Sequence, residues 1–297
     1  MAHDQGPVVQ SALLRSELVR LRKDKSLTQE DVARALDWSP SKLIRIEGGK
    51  STISKTDLQA LLRHYGLSSP ARESRLQELA RGARERAWWN SYRGEVSDTY
   101  LSYIGYEAGA SFVRQSQSTV IPGLLQTPEY AQVIVSMTIG GGERTRAARL
   151  RTERQNEMAQ RDVQPWRFYV LDEAVIRRHV GVKQNPMIMP NQLRRVADQA
   201  EASDRLTVRV LPFTHGAHSG MYGPFTLLEF DGPLADVLYL EGGRAPSVMV
   251  TGDDPRVIEY RDMFETLVAE ALSETESVAL MRDVAQEMAS VSARTGR

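Results

Sequence analysis

Cysteine is absent from all 297 residues of the chain. Its absence excludes disulfide bonds and zinc sites built on thiolates, and it fits a protein of a reducing compartment. No run approaches the ~18 apolar residues that a membrane-spanning helix needs. The first ten residues, MAHDQGPVVQ, lack the basic and apolar regions of a signal peptide. We therefore expect a cytoplasmic protein that makes no use of a membrane.

Net charge is also absent, because 38 Lys and Arg balance 38 Asp and Glu. The balance hides an asymmetry. Residues 1–90 carry 16 basic and 11 acidic side chains, and the remainder carries 22 basic and 27 acidic ones. A basic N-terminal part followed by an acidic remainder is typical of a protein in which one domain contacts nucleic-acid phosphates. A chance partition of surface charge is the alternative.

Motifs that carry catalysis are missing as well. The sequence has no Walker A motif and no dinucleotide fingerprint, and Ser219 does not lie in a G-x-S-x-G pattern. His215 and His218 have HxxH spacing, but their Gly-rich loop offers no carboxylate nearby, which disfavours a metal site. The loop at 214–224 could equally shape a pocket for an effector or a partner protein. We expect no enzyme activity, no cofactor and no metal.

The stretch LTQEDVARALDWSPSKLIRIEGGK, residues 27–50, carries the clearest pattern in the chain. Thr28 followed by Asp31 predicts a helix N-cap, and Asp37 falls at a tight turn. Pro40 suits the first position of a second helix, which Gly48 and Gly49 end. Two short helices joined by a tight turn predict a helix-turn-helix, with the second helix in the DNA major groove.

These residues resemble the helix-turn-helix domains of the phage-repressor-like (XRE) family. The shared positions are Thr28, Ala33, Trp38, Leu43, Ile46, Glu47 and Gly49. Asp37 stands where that family usually has glycine in a left-handed conformation, which Asp tolerates better than most residues. Pro40 stands where family members often have a polar base-reading residue, so direct readout would fall to its neighbours.

The outward face of the motif supplies the candidate DNA contacts. Arg45 could pair with guanine, Lys42 is a better phosphate ligand, and Ile44 could meet a thymine methyl or be partly buried. For Gln29 the resemblance implies a phosphate or base contact, and an ordinary solvated helix start is the alternative. Ser54 is a further phosphate candidate. The full set of site residues is Gln29, Ser39, Ser41, Lys42, Ile44, Arg45, Lys50 and Thr52.

Glu47 is interpreted differently, because a carboxylate near DNA would repel phosphate. We expect it to turn inward to a basic partner such as Arg20 or Arg34.

Helical periodicity continues on both sides of the motif. We expect helices over residues 8–23, 56–65 with Thr56 as cap, and 70–89. They complete an all-α DNA-binding domain over residues 1–85. Trp88 and Trp89 then indicate packing against a second domain or a partner subunit, with an exposed interaction patch as the alternative.

The rest of the chain, residues 90–297, mixes strands with helices. Strand-like runs cover 166–171, 206–211, 225–230 and 237–240, and helices are expected from Thr127 and over 143–160, 172–179, 190–202, 255–272 and 274–289. The predicted fold class is therefore α+β. The helix over 143–160 is rich in arginine, from Arg144 to Arg154. Because these side chains spread round the helix, a solvated surface is favoured over a second site for DNA or an acidic partner.

Four segments of this half resemble the C-terminal domain of a large group of actinobacterial regulators. They are VIPGLLQTPEYA (120–131), FYVLDEAVIRRHVG (168–181), VRVLPFTHGAHSGMYGPFTLLEF (208–230) and DVLYLEG (236–242). In that group the domain follows an XRE-type helix-turn-helix, is sometimes described as antitoxin-like, and is often encoded beside a small partner protein. The resemblance implies a cytoplasmic transcription regulator.

Two functional hypotheses follow. In the first, a homodimer binds a pseudo-palindromic site on double-stranded DNA and is controlled through residues 90–297, which would sense an effector or a partner. The C-terminal helices and the Trp88–Trp89 connector are the expected dimer contacts. In the second, the chain is chiefly an antitoxin-like module that binds a small partner protein and uses DNA binding for autoregulation.

Overall fold

A computed structural model describes residues 6–138, 143–242, 245–252 and 254–295. The chain divides into two compact units. The first is Met1–Asn90 with Asp231–Leu234, and the second is Ser91–Phe230 with Ala235–Arg297. The first is helical and the second combines a six-stranded sheet with helices, so the predicted α+β class is confirmed. Over the described ranges no helix combines the length and apolar character that a membrane crossing needs.

The first unit is built from five helices around one apolar core. They are α1 (Pro7–Asp24), α2 (Gln29–Ala35), α3 (Pro40–Glu47), α4 (Lys55–His64) and α5 (Pro70–Gly82). Every helix contributes a side chain that is almost fully buried, among them Leu18, Val32, Leu43, Leu58 and Leu76. Burying each such leucine stabilises the unit by about 1.5–3 kcal/mol. The core therefore fixes the orientation of α2 and α3.

Two helix boundaries in this unit differ from expectation. α4 begins at Lys55, because the hydroxyl of Ser54 accepts a hydrogen bond from the amide of Asp57, so Thr56 is not the cap. α5 ends at Gly82, well short of residue 89. Beyond it Arg84 turns back to donate a hydrogen bond to the Ile53 carbonyl at 2.8 Å. Trp89, in the following short 3-10 helix, is buried with 5% exposure.

The second unit contains a mixed sheet of six strands. In chain order they are β1 (Phe112–Gln117), β2 (Trp166–Asp172), β3 (Leu206–Leu211), β4 (Phe225–Glu229), β5 (Val237–Leu240) and β6 (Val248–Thr251). Their order across the sheet is β3-β2-β1-β4-β5-β6. β1, β2 and β3 are parallel, and β4, β5 and β6 join them as antiparallel neighbours. The predicted strands are confirmed, and β1 and β6 were not predicted.

Helices cover both faces of this sheet. They are α6 (Asp98–Glu107), α7 (Pro128–Thr138), α8 (Glu143–Ala159), α9 (Glu173–Arg177), α10 (Ile188–Ala202), α11 (Pro255–Glu270) and α12 (Glu274–Thr295). Alternation along β2 separates the two cores. Tyr169 and Leu171 join a cluster with α10 and α12, whereas Val170 joins a cluster with Phe264 of α11. The unit therefore has three layers, with the sheet in the middle.

Helix ends in the second unit follow visible caps where these exist. The hydroxyls of Thr127 and Ser273 accept hydrogen bonds from the amides of Tyr130 and Glu276 at the starts of α7 and α12, as expected. α9 ends at Arg177, two residues before the expected end, and α12 extends to Thr295. The aromatic-rich segment at 100–106 lies within α6.

Candidate nucleic-acid interface

A capping box starts α2. The Thr28 hydroxyl accepts a hydrogen bond from the Asp31 amide at 3.1 Å, and the Asp31 carboxylate accepts one from the Thr28 amide at 3.1 Å. The hydrogen bonds from Thr28 lower the pKa of Asp31, because they stabilise its charged form. The predicted start of the motif is confirmed.

The turn between α2 and α3 depends on a left-handed residue. Asp37 has φ +55°, the conformation expected at this position. It lets the amide of Trp38 reach the carbonyl of Ala33 at 2.8 Å, and its own amide reaches the carbonyl of Arg34 at 3.3 Å. These two bonds form a Schellman motif, which satisfies the last carbonyls of α2. The chain then enters α3 with Pro40 at its first turn.

α3 ends in the same way. Gly49 has φ +71°, and the amide of Lys50 donates to the carbonyl of Arg45 at 2.8 Å. A Cβ atom at Gly49 would also lie 1.5 Å from a guanidinium nitrogen of Arg15. The left-handed backbone conformation favours glycine here, whereas the Arg15 guanidinium ends a flexible side chain that can move aside.

Glu47 turns inward, as expected, but to Arg22 rather than to Arg20 or Arg34. Its carboxylate accepts two hydrogen bonds from the Arg22 guanidinium, at 2.8 and 2.9 Å. Arg20 is instead paired with Glu17, and Arg34 lies near Asp31, so neither is available. The hydrogen bonds with Glu47 raise the pKa of Arg22. This ion pair anchors the end of α3 to α1.

Gln29 joins the same network. Its side-chain amide nitrogen donates a hydrogen bond to Glu47 at 2.7 Å. Gln29 is therefore a partly buried member of the anchor and not an ordinary solvated helix start. Its amide nitrogen already has a partner in the free protein.

Lys42 also has partners within the unit. Its ammonium group lies 2.7 Å from the carboxylate of Asp57 and 4.0 Å from the centre of the Trp38 ring. Burial opposes ionisation of Asp57, but hydrogen bonds from Lys42 and Ser54 outweigh it, so the pKa of Asp57 is lowered. The charge of Lys42 is therefore balanced locally, which sequence spacing did not reveal.

The remaining candidate residues are exposed. On α3, Ser41, Ile44 and Arg45 share one face at spacings of three and four residues, opposite the buried Leu43 and Ile46. Ile44 is 49% exposed, so it is not the partly buried residue of the alternative interpretation. The Arg45 side chain forms no ion pair with any residue of the described ranges. The other exposed candidates are Ser39, Lys50, Thr52 and Ser54.

Two other patterns in the sequence resolve into separate contacts. His215 lies 3.4 Å from Glu270 and His218 lies 2.9 Å from Asp172, so the two histidines have different partners. Among the described residues no three His, Asp or Glu side chains form a group that could hold a metal ion.

The arginine-rich helix α8 is not solvated throughout. Arg146 pairs with Glu95, as expected of a salt-bridged surface, but Arg154 is only 8% exposed. The prediction of a solvated helix is wrong for Arg154, because its guanidinium forms an ion pair with the buried Glu107, far away in sequence. The Arg144 side chain lies outside the described residues.

Comparisons with known families agree with the geometry of the first unit. The family described as "Helix-turn-helix domain" matches residues 13–76 and supports a DNA-binding regulator. The family described as "Domain of unknown function (DUF5753)" matches residues 100–283, more than half of the chain. The chain belongs to this second family. Searches of curated proteins and of solved structures found no match.

Proposed function

We propose that this protein is a sequence-specific transcription regulator of XRE type that binds double-stranded DNA as a homodimer. The observation that carries the proposal is the exposed face of α3, on which Ser41, Ile44 and Arg45 stand opposite a fully packed core face. A short helix held by its buried side, with polar and basic groups outward, fits the major groove. The match to a helix-turn-helix family supports the same role.

Within this proposal Arg45 is the main reader of sequence. Its guanidinium can donate two hydrogen bonds to O6 and N7 of guanine, which no other base presents. Lys50, Thr52 and Ser54 follow α3 and would contact phosphates, as would Ser39 at its start. Gln29 and Lys42 would contact DNA only by sharing or leaving Glu47 and Asp57, so we rank their contributions lower.

Dimerisation is the second part of the proposal. One helix-turn-helix makes few contacts, and two of them about 34 Å apart would read a pseudo-palindromic site. Trp89 is buried within the chain, which leaves α11 and α12 as the dimer contacts we propose. We assign residues 1–85 to DNA binding and 90–297 to dimerisation and control. Sedimentation that shows a monomer at micromolar concentration, with and without DNA, would contradict the dimer.

The test of DNA binding uses fluorescence anisotropy of the full chain on its own upstream DNA, over a salt series and against scrambled competitor. Arg45→Ala should weaken specific binding by about 1–3 kcal/mol and relax preference at one base position. Lys42→Ala should change the affinity less. The matched control is Arg81→Ala, an exposed arginine of α5, which should leave binding unchanged. Equal losses for Arg45→Ala on specific and scrambled DNA would make Arg45 a phosphate ligand and remove the proposed readout.

A second function is favoured by one observation on the loop at 213–222. Phe213, Met221 and Tyr222 expose 55%, 65% and 91% of their surface. Three large apolar side chains in one exposed loop are typical of a protein contact. This supports the antitoxin-like alternative, in which the second unit binds a small partner protein. Co-purification of a stoichiometric small protein from the native host, lost in the double variant Met221→Ser and Tyr222→Ser, would favour it.

A further inference from the structure

One face of the sheet in the second unit changes from apolar to polar across neighbouring strands. The register aligns Val208, Tyr169, Gln115, Thr226 and Tyr239 in one row across β3, β2, β1, β4 and β5. Val208 and Tyr169 pack in the apolar core beneath α10 and α12. Gln115 and Thr226 continue the row as polar residues, yet they are only 8% and 2% exposed. Polar side chains buried in the middle of a sheet require a physical reason.

The reason is a cavity of about 330 Å³ above this part of the sheet. α6, α8 and the segment at 120–126 form its other walls. Part of the lining is apolar and comes from Val96, Val120, Ile121, Ala147 and Leu150. A volume of this size, with apolar walls and a few convergent polar groups, is typical of a small-molecule site.

Several polar groups on the cavity wall lack partners. The side chains of Gln115 and Thr226 make no hydrogen bond with any residue that the structure describes. Oε1 of Gln126 and Nη1 of Arg151 are buried and also have no hydrogen-bond partner there. A buried polar group without a hydrogen-bond partner destabilises the folded protein. Two such atoms, together with the unpaired side chains of Gln115 and Thr226, leave this wall able to hydrogen-bond a bound molecule.

The charged side chains on the wall indicate which kind of ligand the cavity binds. Arg154 is paired with Glu107 and also donates hydrogen bonds to the hydroxyls of Tyr100 and Tyr103, at 3.2 and 3.1 Å. Arg151 has no carboxylate partner among the described residues. Among the described residues of this wall, its guanidinium is therefore the one cation that a ligand anion can pair with.

The aromatic and acidic residues add two further preferences. Tyr239 stacks on Tyr103 at 4.3 Å, and Tyr103 stacks on Tyr100 at 6.0 Å, so a planar ring can extend a wall of tyrosines. Glu241, the carboxylate on the wall, accepts a hydrogen bond from Gln117 at 3.0 Å. It would accept another from an amino or hydroxyl substituent on the ring.

We propose that this cavity binds a small aromatic carboxylate bearing an amino or hydroxyl group. Arg151 pairs with the carboxylate, and Gln115 and Thr226 hydrogen-bond the bound molecule. Binding of this ligand does not depend on the function proposed above. Only its regulatory role rests on that function, because the bound ligand would control DNA binding through the second unit.

Isothermal titration of the full chain tests the site directly. The probes are 4-aminobenzoate, 4-hydroxybenzoate and 4-hydroxyphenylacetate, each compared with its uncharged amide. We expect at least one carboxylate to bind one per chain, at least tenfold tighter than its amide. Arg151→Gln should abolish that preference. Arg149→Gln removes an exposed arginine of the same helix that does not line the cavity, and should bind like the parent chain.

A second variant guards against misfolding. Thr226→Val keeps the shape of the side chain and removes only its hydroxyl, so the chain should keep its thermal unfolding temperature and bind the carboxylate several-fold more weakly. No binding of any of the three carboxylates at about 1 mM, a free energy of about −4 kcal/mol, would overturn the proposal. Equal binding of acid and amide, or unchanged binding by Arg151→Gln, would overturn it as well.

The titration contains no DNA, so its outcome is independent of the helix-turn-helix. A chain that binds the carboxylate but no DNA would contradict only the proposed regulator. A chain that binds DNA but none of the probes would contradict only the cavity site. If both hold, the bound carboxylate should shift the DNA affinity in the anisotropy assay.

Discussion

Each unit of the protein contains a buried arginine–glutamate pair, and the two pairs have different surroundings. In the first unit Arg22 also donates to the Leu27 carbonyl at 2.8 Å, and Glu47 also accepts from Gln29. In the second unit Arg154 pairs with Glu107 and lines a cavity, on whose wall Oε1 of Gln126 and Nη1 of Arg151 have no hydrogen-bond partner among the described residues. A saturated network beside a packed core is typical of a scaffold, whereas unpaired polar groups on the wall of a cavity indicate a binding site.

The two pairs also differ in the energetic cost of breaking them. Removing two charges from water is costly, and mutual attraction repays the cost only when the geometry and the extra hydrogen bonds are good. The Arg154 side chain is 9% exposed and that of Glu107 is 2% exposed, compared with 12% and 4% for Arg22 and Glu47. Water can therefore reach a stranded Arg22 more easily than a stranded Glu107.

The largest expected effect comes from breaking the deeper pair. Arg154→Ala strands the carboxylate of Glu107 and should destabilise the second unit by about 3–5 kcal/mol. Urea unfolding of the full chain, followed by circular dichroism, measures the effect. Replacing both partners, as Arg154→Met with Glu107→Leu, should recover most of the loss, because no charge is then left unpaired.

Arg149→Ala is the matched control for this prediction. Its side chain is exposed on the same helix, so it should change stability by no more than about 0.5 kcal/mol. If Arg154→Ala lowered the free energy of unfolding by no more than this control, the deeper burial of the Arg154–Glu107 pair would have no effect on stability.

Breaking the pair of the first unit should cost less. Glu47→Ala strands Arg22 and frees Gln29, and we expect a loss of about 2–3 kcal/mol. Because Glu47 anchors the end of α3, specific DNA binding should fall with it. Thermal unfolding and anisotropy measure the two effects. The control is Glu78→Ala, an exposed glutamate of α5. Unchanged DNA binding in a less stable Glu47→Ala chain would mean that the core alone orients α3.

The sequence predicted most of the first unit, because its signals are local. Thr28 with Asp31 and the Gly48-Gly49 pair fix the limits of α2 and α3 through hydrogen bonds that span only a few residues. The Arg22–Glu47 and Lys42–Asp57 pairs join residues 25 and 15 positions apart, so periodicity could not identify them. The roles of the exposed residues in DNA binding stay a prediction.

In the second unit the sequence failed where the candidate binding site lies. β1 reads FVRQSQ, with Gln115 and Gln117 at positions that face the cavity, so it lacks the apolar alternation of a strand. The sequence pattern placed Arg154 among several solvated arginines, because it could not show that the fold brings Glu107 next to it. Local pattern and global fold disagree at these residues, and such disagreement is expected at functional sites.

The smallest effect is expected from a surface ion pair, which differs from both buried pairs. Glu17 accepts hydrogen bonds from Arg20 and Arg72 at the surface of the first unit. The hydrogen bond from Arg20 is the main cause of a pKa lowered from 4.5 to about 2, against a smaller opposing effect of burial and with help from Arg72. Since the folded pKa of Glu17 lies below the unfolded one, this contribution to stability is present above about pH 4.5 and is lost as the pH falls towards about 2.

Glu17→Gln should lower the Tm by only a few degrees at neutral pH, because both arginines are about half exposed and solvent screens the pair.

The difference in Tm between Glu17→Gln and the parent chain should shrink as the pH is lowered from about 5 to about 2, and calorimetry over this range measures it. Glu78→Gln, an exposed glutamate of α5 with no ion-pair partner among the described residues, is the control and should show no such convergence. A difference that stayed constant with pH would mean that Glu17 acts through packing rather than charge. An effect as large as that of Glu47→Ala would show that surface pairs, and not only buried ones, hold the first unit together.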